Sequence, residues 1–322
     1  VRVSRGREVD VTATLIDGRA LAARIKQRLR REVDELARVI PPIRLASIEV
    51  GDNAAAALFV RNQERAAREL GIEFEHVHLP AGIAEEDLVQ AIRRGNEDPR
   101  VTGILVQRPL PVGMNVRRVQ AKVHPDKDVE GLNPANMGFI VLGEPKLVPC
   151  TALASVKVLL STGIDPRGKD IVVIGHSEIV GKPIAFLLIN QFATVTVCHV
   201  ATQDLAHHTS KADVVFVAVG KPGLVRGSML RPGCTVIDIG INQVPLLGTD
   251  GRPQLDEQGK PRTKVVGDVD FDTVAPVAGL LTPVPGGVGP VTVATLLSNA
   301  VAAARLQHRD RVAPPDLSLT AD

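Results

Sequence analysis

The chain has 322 residues and a formal net charge of +2 at neutral pH, so it carries no basic field of the kind nucleic acid demands. With no Trp, no Tyr and only seven Phe, it lacks the aromatic platforms that stack single-stranded bases. No stretch approaches the ~20 apolar residues of a membrane span, and no signal-like apolar core opens the chain, so it reads as a cytoplasmic protein long enough for two domains.

In chain order, Val1 to Val11 is polar and aperiodic and reads as a loose tail. Asp17 is placed to cap a helix running to about Ile40, because Leu21, Ile25, Leu29, Val33 and Leu36 recur at helical spacing. Pro41 and Pro42 stop it. Arg44 to Val50 reads as a strand, Gly51-Asp52-Asn53 as a turn, and Ala54 to Leu70 as a helix closed by Gly71. A strand over Glu73 to Leu79, a helix over Ala84 to Arg94 and a strand over Val101 to Val106 complete an α/β unit. Gln107 follows that last strand, and Pro109 and Pro111 stiffen the loop behind it. His124 to Gly131 is a charged loop that, taken alone, reads as solvated turn charges. Thr151 is placed to cap a helix through Leu160.

The apolar run Ile171 to Ile174 reads as a strand buried on both faces, ended by Gly175. Gly181 and Pro183 open the next helix, where the missing proline N–H costs nothing. Strand, glycine turn and helix N-terminus make a cradle for phosphate. The spacing here is Gly-x-Ser-x-x-x-Gly, and by itself it serves a plain βα connection as well. Further strands over Ala193 to His199, Asp213 to Val219 and Cys234 to Ile239 alternate with helical segments over Gln203 to Lys211 and near Arg226 to Leu230. This is the pattern of a doubly wound parallel sheet. Ligands bind such sheets at the carboxyl ends of the strands, so Gly220 and Gly240-Ile241-Asn242 are expected beside Gly175. Gln243 to Lys264 reads as an exposed hairpin or loop. Pro283 to Pro290 specifies a tight, irregular backbone able to approach a flat ligand, an apolar helix follows from Val291 to about Leu306, and the tail from Gln307 frays.

Cys150, Cys198 and Cys234 lie in or beside apolar runs and read as reduced core thiols. His76 and His78 share a strand face without a partner that suggests a metal, and no metal site is expected. His207 and His208 read as helix-end surface residues.

Several separated segments resemble, in order, the bifunctional methylenetetrahydrofolate dehydrogenase/methenyltetrahydrofolate cyclohydrolases. They are Gly103 to Gln107 with Pro109-Leu110-Pro111, His124 to Val129, Val172 to Gly175 with Ser177, Val180-Gly181 and Pro183, Ala218 to Gly223, Gly240 to Asn242, Val266 to Val269, and Pro283 to Pro290. The likeness spans about Leu15 to Ala304. It implies two α/β domains flanking a cleft, the second Rossmann-like: residues 14–150 plus 290–306 on the folate side, and 151–289 on the dinucleotide side. It also implies a homodimer that oxidises 5,10-methylenetetrahydrofolate with NADP and hydrolyses the methenyl product, with tetrahydrofolate derivatives as partners. On the folate side the resemblance points to Gln63, Gln107 and Glu130 as the catalytic set and to Phe59, Pro283, Gly289 and Thr292 as substrate-binding. Gly175, His176, Ser177, Val200 and Ile241 fall on the dinucleotide side.

The chain departs from the family's pattern where the chemistry lies. The family's Tyr-x-x-x-Lys is here Phe59 and Gln63, its Asp-Val-Asp-Gly ends in Glu130-Gly131, and its Pro-Ala-Ser is Ala54-Ala55-Ala56. Lysine offers a cation and, when its pKa is lowered, a base; glutamine offers only hydrogen bonds. The expectation is dehydrogenation in weakened form with the cyclohydrolase step weakened or lost. A catalytically silent folate- or nucleotide-binding paralogue and a dehydrogenase of another small substrate stay open beside it. Cofactor choice is also open. The family default is NADP, whereas Val200 and Ala201 offer a 2′-phosphate neither charge nor hydroxyl, which leans toward NAD.

Overall fold

The computed structural model describes residues 13–52, 54–248 and 252–315, with residues 54–58 described as backbone only. The tail assigned to Val1–Val11 and the last residue of the turn at Asn53 lie outside the described residues. The chain divides into two compact units: an N-terminal one over Ala20–Lys157 together with residues from Val291, and a C-terminal one over Val158–Pro290 together with residues up to Arg19.

The chain opens with a two-residue strand, β1 (Thr14–Leu15), which pairs in parallel with Leu280–Leu281 of the C-terminal unit. No local pattern marks it. Helix α1 (Gly18–Leu36) follows, with the Asp17 carboxylate accepting the Arg19 N–H at 2.9 Å. It closes at Leu36, short of Ile40, and the Val39 and Ile40 N–H groups both turn back onto the Leu36 carbonyl before the two prolines. Strand β2 (Arg44–Val50), helix α2 (Ala54–Glu69), strand β3 (Glu73–Leu79), helix α3 (Glu85–Glu97) and strand β4 (Gly103–Val106) form the βαβαβ body of this unit. The sheet order is β3-β2-β4, all parallel. Gly71 closes α2 with φ +78°, a conformation that suits glycine. Ile48, Leu88, Ile92, Ile104 and Val106 are among the side chains packed between sheet and helices. Short helices α4 (Val116–Gln120) and α5 (Pro134–Val141) come next, then α6 (Cys150–Leu160). Thr151 does not cap α6. The Pro149 carbonyl already accepts the Leu153 N–H, so Thr151 sits inside the first turn.

The C-terminal unit is built on β5 (Asp170–Ile174), α7 (Gly181–Ile189), β6 (Thr194–Cys198), α8 (Leu205–Thr209), β7 (Val214–Val217) and β8 (Thr235–Asp238). Near Arg226 only a short 3-10 turn forms, over Gly227–Met229. An antiparallel hairpin, β9 (Asn242–Pro245) with β10 (Thr263–Val266), carries the polar insertion. Helix α9 (Phe271–Val274) and strand β11 (Leu280–Leu281) follow. Helix α10 (Val288–Gln307) begins in this unit and continues into the N-terminal one. The sheet order is β1-β11-β8-β7-β5-β6, parallel throughout. Val172, Val215, Val217, Val236 and Leu281 are among its buried core. Among the described residues no helix is long and apolar enough to cross a membrane.

Candidate active site

Each unit gathers part of the expected site at the carboxyl ends of its parallel strands. In the N-terminal unit, α2 carries Phe59 and Gln63 four residues apart, hence on one face. Phe59 is 46% exposed and Gln63 only 3%. Gln107 leaves β4 with its backbone N–H bonded to the Ile48 carbonyl at 2.8 Å, which fixes where its side chain starts. Its Nε2 donates to Ser47 Oγ at 3.0 Å and to Gln63 Oε1 at 2.8 Å. Both protons of the Gln107 amide are thereby committed. The carbonyl oxygen of Gln107 and the amino group of Gln63 are the edges this pairing leaves over.

Glu130 reaches the same strand end. Its Oε2 accepts the Val106 N–H at 3.2 Å, one residue before Gln107. The side chain is half-buried, and loss of water around the carboxyl pushes its pKa up to about 7. Arg108 pulls against this shift, and the Asp128 charge adds to it.

The charged loop before Glu130 is not solvated. Asp128 is fully buried and accepts from the Asn133 N–H at 2.6 Å, Asn136 Nδ2 at 3.0 Å and Gln120 Nε2 at 3.2 Å. Burial still raises its pKa, against those donors. Lys127 is buried too, donating to the Gly95 and Asp98 carbonyls at the end of α3. The motif's cation therefore closes a helix. Thr292 lies half-buried in α10, and Asn299 of the same helix donates to the Val129 and Val148 carbonyls, both at 2.8 Å.

In the C-terminal unit, Gly175 has φ +117°, and a Cβ there would lie 2.3 Å from the Ala218 carbonyl oxygen. A Cβ on Gly181 would lie 1.9 Å from the Gly175 oxygen. Only glycine fits either position, and the helix N-terminus is drawn tight against the turn. Ser177 Oγ accepts the Val180 N–H at 3.2 Å, and His176 and Ser177 face solvent above the turn. Val200 is fully exposed just past β6. Ile241, Pro283 and Gly289 line one cavity of about 150 Å³, together with Arg19, Gly240 and Gly287. A close-packed glycine turn at a helix N-terminus, on the carboxyl edge of a doubly wound sheet, fits a dinucleotide pyrophosphate.

Two aspartates absent from the expected site organise this edge. Asp268 is fully buried; its Oδ2 accepts the Val219 and Gly220 N–H groups at 2.7 and 2.9 Å, and its Oδ1 accepts Asn242 Nδ2 at 2.8 Å. Asp238 accepts the Gly240, Asp268 and Val269 N–H groups, each at 3.0 Å. Burial pushes Asp238 up to about 6. The signal is a carboxylate set inside an apolar stretch in each case, Val236-Ile237-Asp238-Ile239 and Val265-Val266-Gly267-Asp268-Val269. The histidines of β3 also have partners the sequence did not suggest. His76 Nε2 lies 2.8 Å from Glu49 and His78 Nε2 lies 3.2 Å from Asp52. Among the described residues no group of three or more His, Cys, Asp or Glu could hold a metal. The three cysteines are free, Cys198 and Cys234 buried and Cys150 half-buried.

The chain matches known proteins over most of its length. Residues 16–130 match the catalytic domain described as tetrahydrofolate dehydrogenase/cyclohydrolase, and residues 149–308 match the NAD(P)-binding domain of the same family. A bifunctional protein FolD 2 of Mesorhizobium japonicum is 52% identical over 83% of each chain. Among solved structures, the bifunctional FolD methylenetetrahydrofolate dehydrogenase/cyclohydrolase of Campylobacter jejuni aligns with a TM-score of 0.84 and 41% identity, covering 91% of this chain and 99% of that one. The Trypanosoma brucei enzyme, solved with NADP cofactor and an inhibitor, aligns with a TM-score of 0.83 and 39% identity over 92% and 99%. The two domain models cover residues 16–130 and 149–308, one on each α/β unit, and the chain belongs to the tetrahydrofolate dehydrogenase/cyclohydrolase family.

Proposed function

We propose that the chain oxidises 5,10-methylenetetrahydrofolate to 5,10-methenyltetrahydrofolate with NADP, and hydrolyses that product only weakly. The observation that carries this reading is the side chain at position 63: a buried glutamine, its oxygen tied to Gln107, where the family's pattern has lysine. On this reading residues 14–150 with 290–306 hold the folate and residues 151–289 the dinucleotide. Phe59 offers its ring to the pterin, and Glu130 pairs with the amino-pyrimidinone edge. Gln63 and Gln107 face the reacting carbon, and Pro283, Gly289 and Thr292 complete the folate lining. Gly175, His176, Ser177, Val200 and Ile241 line the dinucleotide, which supplies the hydride acceptor when bound.

The two steps ask different things of these residues. Hydride leaves a carbon whose neighbouring nitrogen already stabilises the developing cation, so orientation supplies most of the help. Hydrolysis needs a proton taken from water and a tetrahedral adduct managed. Two amides can orient a water but take no proton from it. The test is an assay of both half-reactions on the purified chain. NADPH formation from methylenetetrahydrofolate is expected, with methenyl hydrolysis at least about a hundredfold slower than in a lysine-containing relative. Hydrolysis at the relative's rate overturns the reading of position 63, and absence of any NADPH overturns the dehydrogenase.

We also propose a homodimer built on β6. Among the described residues that strand ends the six-stranded sheet with one edge unpaired, and Ile189, Phe192 and Val197 beside it are exposed. Val197→Lys is expected to shift the chain from dimer to monomer in sedimentation equilibrium. A wild-type chain that sediments as a monomer, or a variant that stays dimeric, counts against this edge.

A further inference from the structure

We infer that Arg108 is a specificity-determining residue of the folate side, its guanidinium taking a carboxylate of the folate's glutamyl tail, an inference that rests on the folate reading above. The run that resembles the family breaks at this residue, between Gln107 and Pro109. Strand β4 ends at Val106, so Arg108 is the second residue beyond it and follows Gln107 directly. Exposure rises step by step along this segment: Gln107 is buried, Arg108 half-buried and Pro109 exposed. Arg108 therefore stands where the buried amides give way to water. Pro109 and Pro111 stiffen the backbone behind it, which tethers the side chain close to that boundary.

A tetrahydrofolate derivative has the same order of polarity. Its pterin is flat and uncharged, the reacting carbon lies between pterin and benzoyl bridge, and the bridge ends in a glutamate whose two carboxylates are ionised at neutral pH. With Glu130 on the amino-pyrimidinone edge and the reacting carbon against Gln63 and Gln107, the tail leaves on the solvent side of those amides. Arg108 is the first residue outward from Gln107. Among the described residues it closes no salt bridge. Its charge draws on the Glu130 carboxylate, which keeps the guanidinium at the same strand end, yet no hydrogen bond joins the two. Glu130 Oε2 is held instead by the Val106 N–H. A half-buried guanidinium with its planar fork uncommitted suits a carboxylate, which it can meet through two parallel hydrogen bonds.

The test titrates the full chain calorimetrically, without dinucleotide, with tetrahydrofolate and with its α,γ-diamide, in which neutral amides replace both carboxylates. The two ligands share one pterin, so any effect through Glu130 falls on both alike and cancels in their ratio. Wild type is expected to bind tetrahydrofolate about tenfold more tightly than the diamide at low salt, and the ratio should shrink as salt rises. Arg108→Leu and Arg108→Gln should each remove about three- to tenfold of that advantage. Arg108→Lys, which keeps the charge without the fork, should retain part of it. Equal binding of both ligands by wild type overturns the inference. A ratio that Arg108→Leu and Arg108→Gln both leave in place also overturns it, because the cation would then serve Glu130 alone. If wild type binds neither ligand, the folate reading itself fails with it.

Discussion

Gln63→Lys is expected to raise methenyltetrahydrofolate hydrolysis by about a hundredfold to ten-thousandfold while changing hydride transfer by less than about tenfold. The site can accept the exchange without leaving a polar group unpaired. An ammonium only donates, whereas Gln107 now donates into Gln63 Oε1. Rotating the Gln107 amide by half a turn presents its oxygen to the lysine instead. Ser47 Oγ, now an acceptor from Gln107 Nε2, is a hydroxyl and serves either orientation. Burial of position 63 lowers the pKa of an introduced lysine, raising the fraction of free amine available as a base. Stopped absorbance assays of the two half-reactions, run on both proteins, measure the ratio. If hydrolysis does not rise, the missing ammonium is not the cause of its weakness. Phe59→Tyr added to Gln63→Lys then tests whether the lost hydroxyl is.

The second large effect belongs to Glu130. Burial lifts its pKa from 4.5 to about 7, so the carboxyl carries a proton below pH 7 and is ionised above it. Only the carboxylate accepts two N–H donors of a pterin edge together. Folate KM is therefore expected to fall by about tenfold between pH 6 and pH 8, and Glu130→Gln to flatten that profile at the weaker level. Stability runs the other way. A carboxyl whose folded pKa is raised binds its proton more tightly folded than unfolded, so its contribution declines as pH climbs from 4.5 to 7. The full cost at pH 8 is at most roughly 3 kcal/mol. Glutamine avoids it and can still accept the Val106 N–H. Glu130→Gln should melt several degrees above wild type at pH 8 and level with it at pH 5. A melting difference that ignores pH would remove Glu130 as the titrating group.

What the sequence disclosed, and what it hid, follows from the range of the forces involved. Strands β2, β3 and β5 were legible because apolar runs bounded by glycine, proline or turn residues need no distant partner to be recognised. The capping of α1 by Asp17 and the closure of α2 at Gly71 are equally local. The two-residue strand β1 exists only through its pairing with Leu280–Leu281, far along the chain, and nothing near Thr14 announces it. The same holds for the Gln63–Gln107 hydrogen bond, which needs α2 and β4 already in place. Asp128 and Lys127 looked like turn charges because spacing does not reveal burial. The roles of Asp238 and Asp268 are hard to read from spacing because all but one of the partners named above are backbone N–H groups, which every residue but proline supplies.

Helix α10 gives the N-terminal unit a peculiar birth order. Asn299 holds the Val129 and Val148 carbonyls, and Gln307 Nε2 donates to the Thr102 and Asp126 carbonyls, so that unit is sealed by residues made after the whole of the C-terminal unit. On the ribosome the half that receives most of its residues first is finished last. Its unsealed carbonyls and apolar faces must wait, while the later half has every strand it needs before the closing helix emerges.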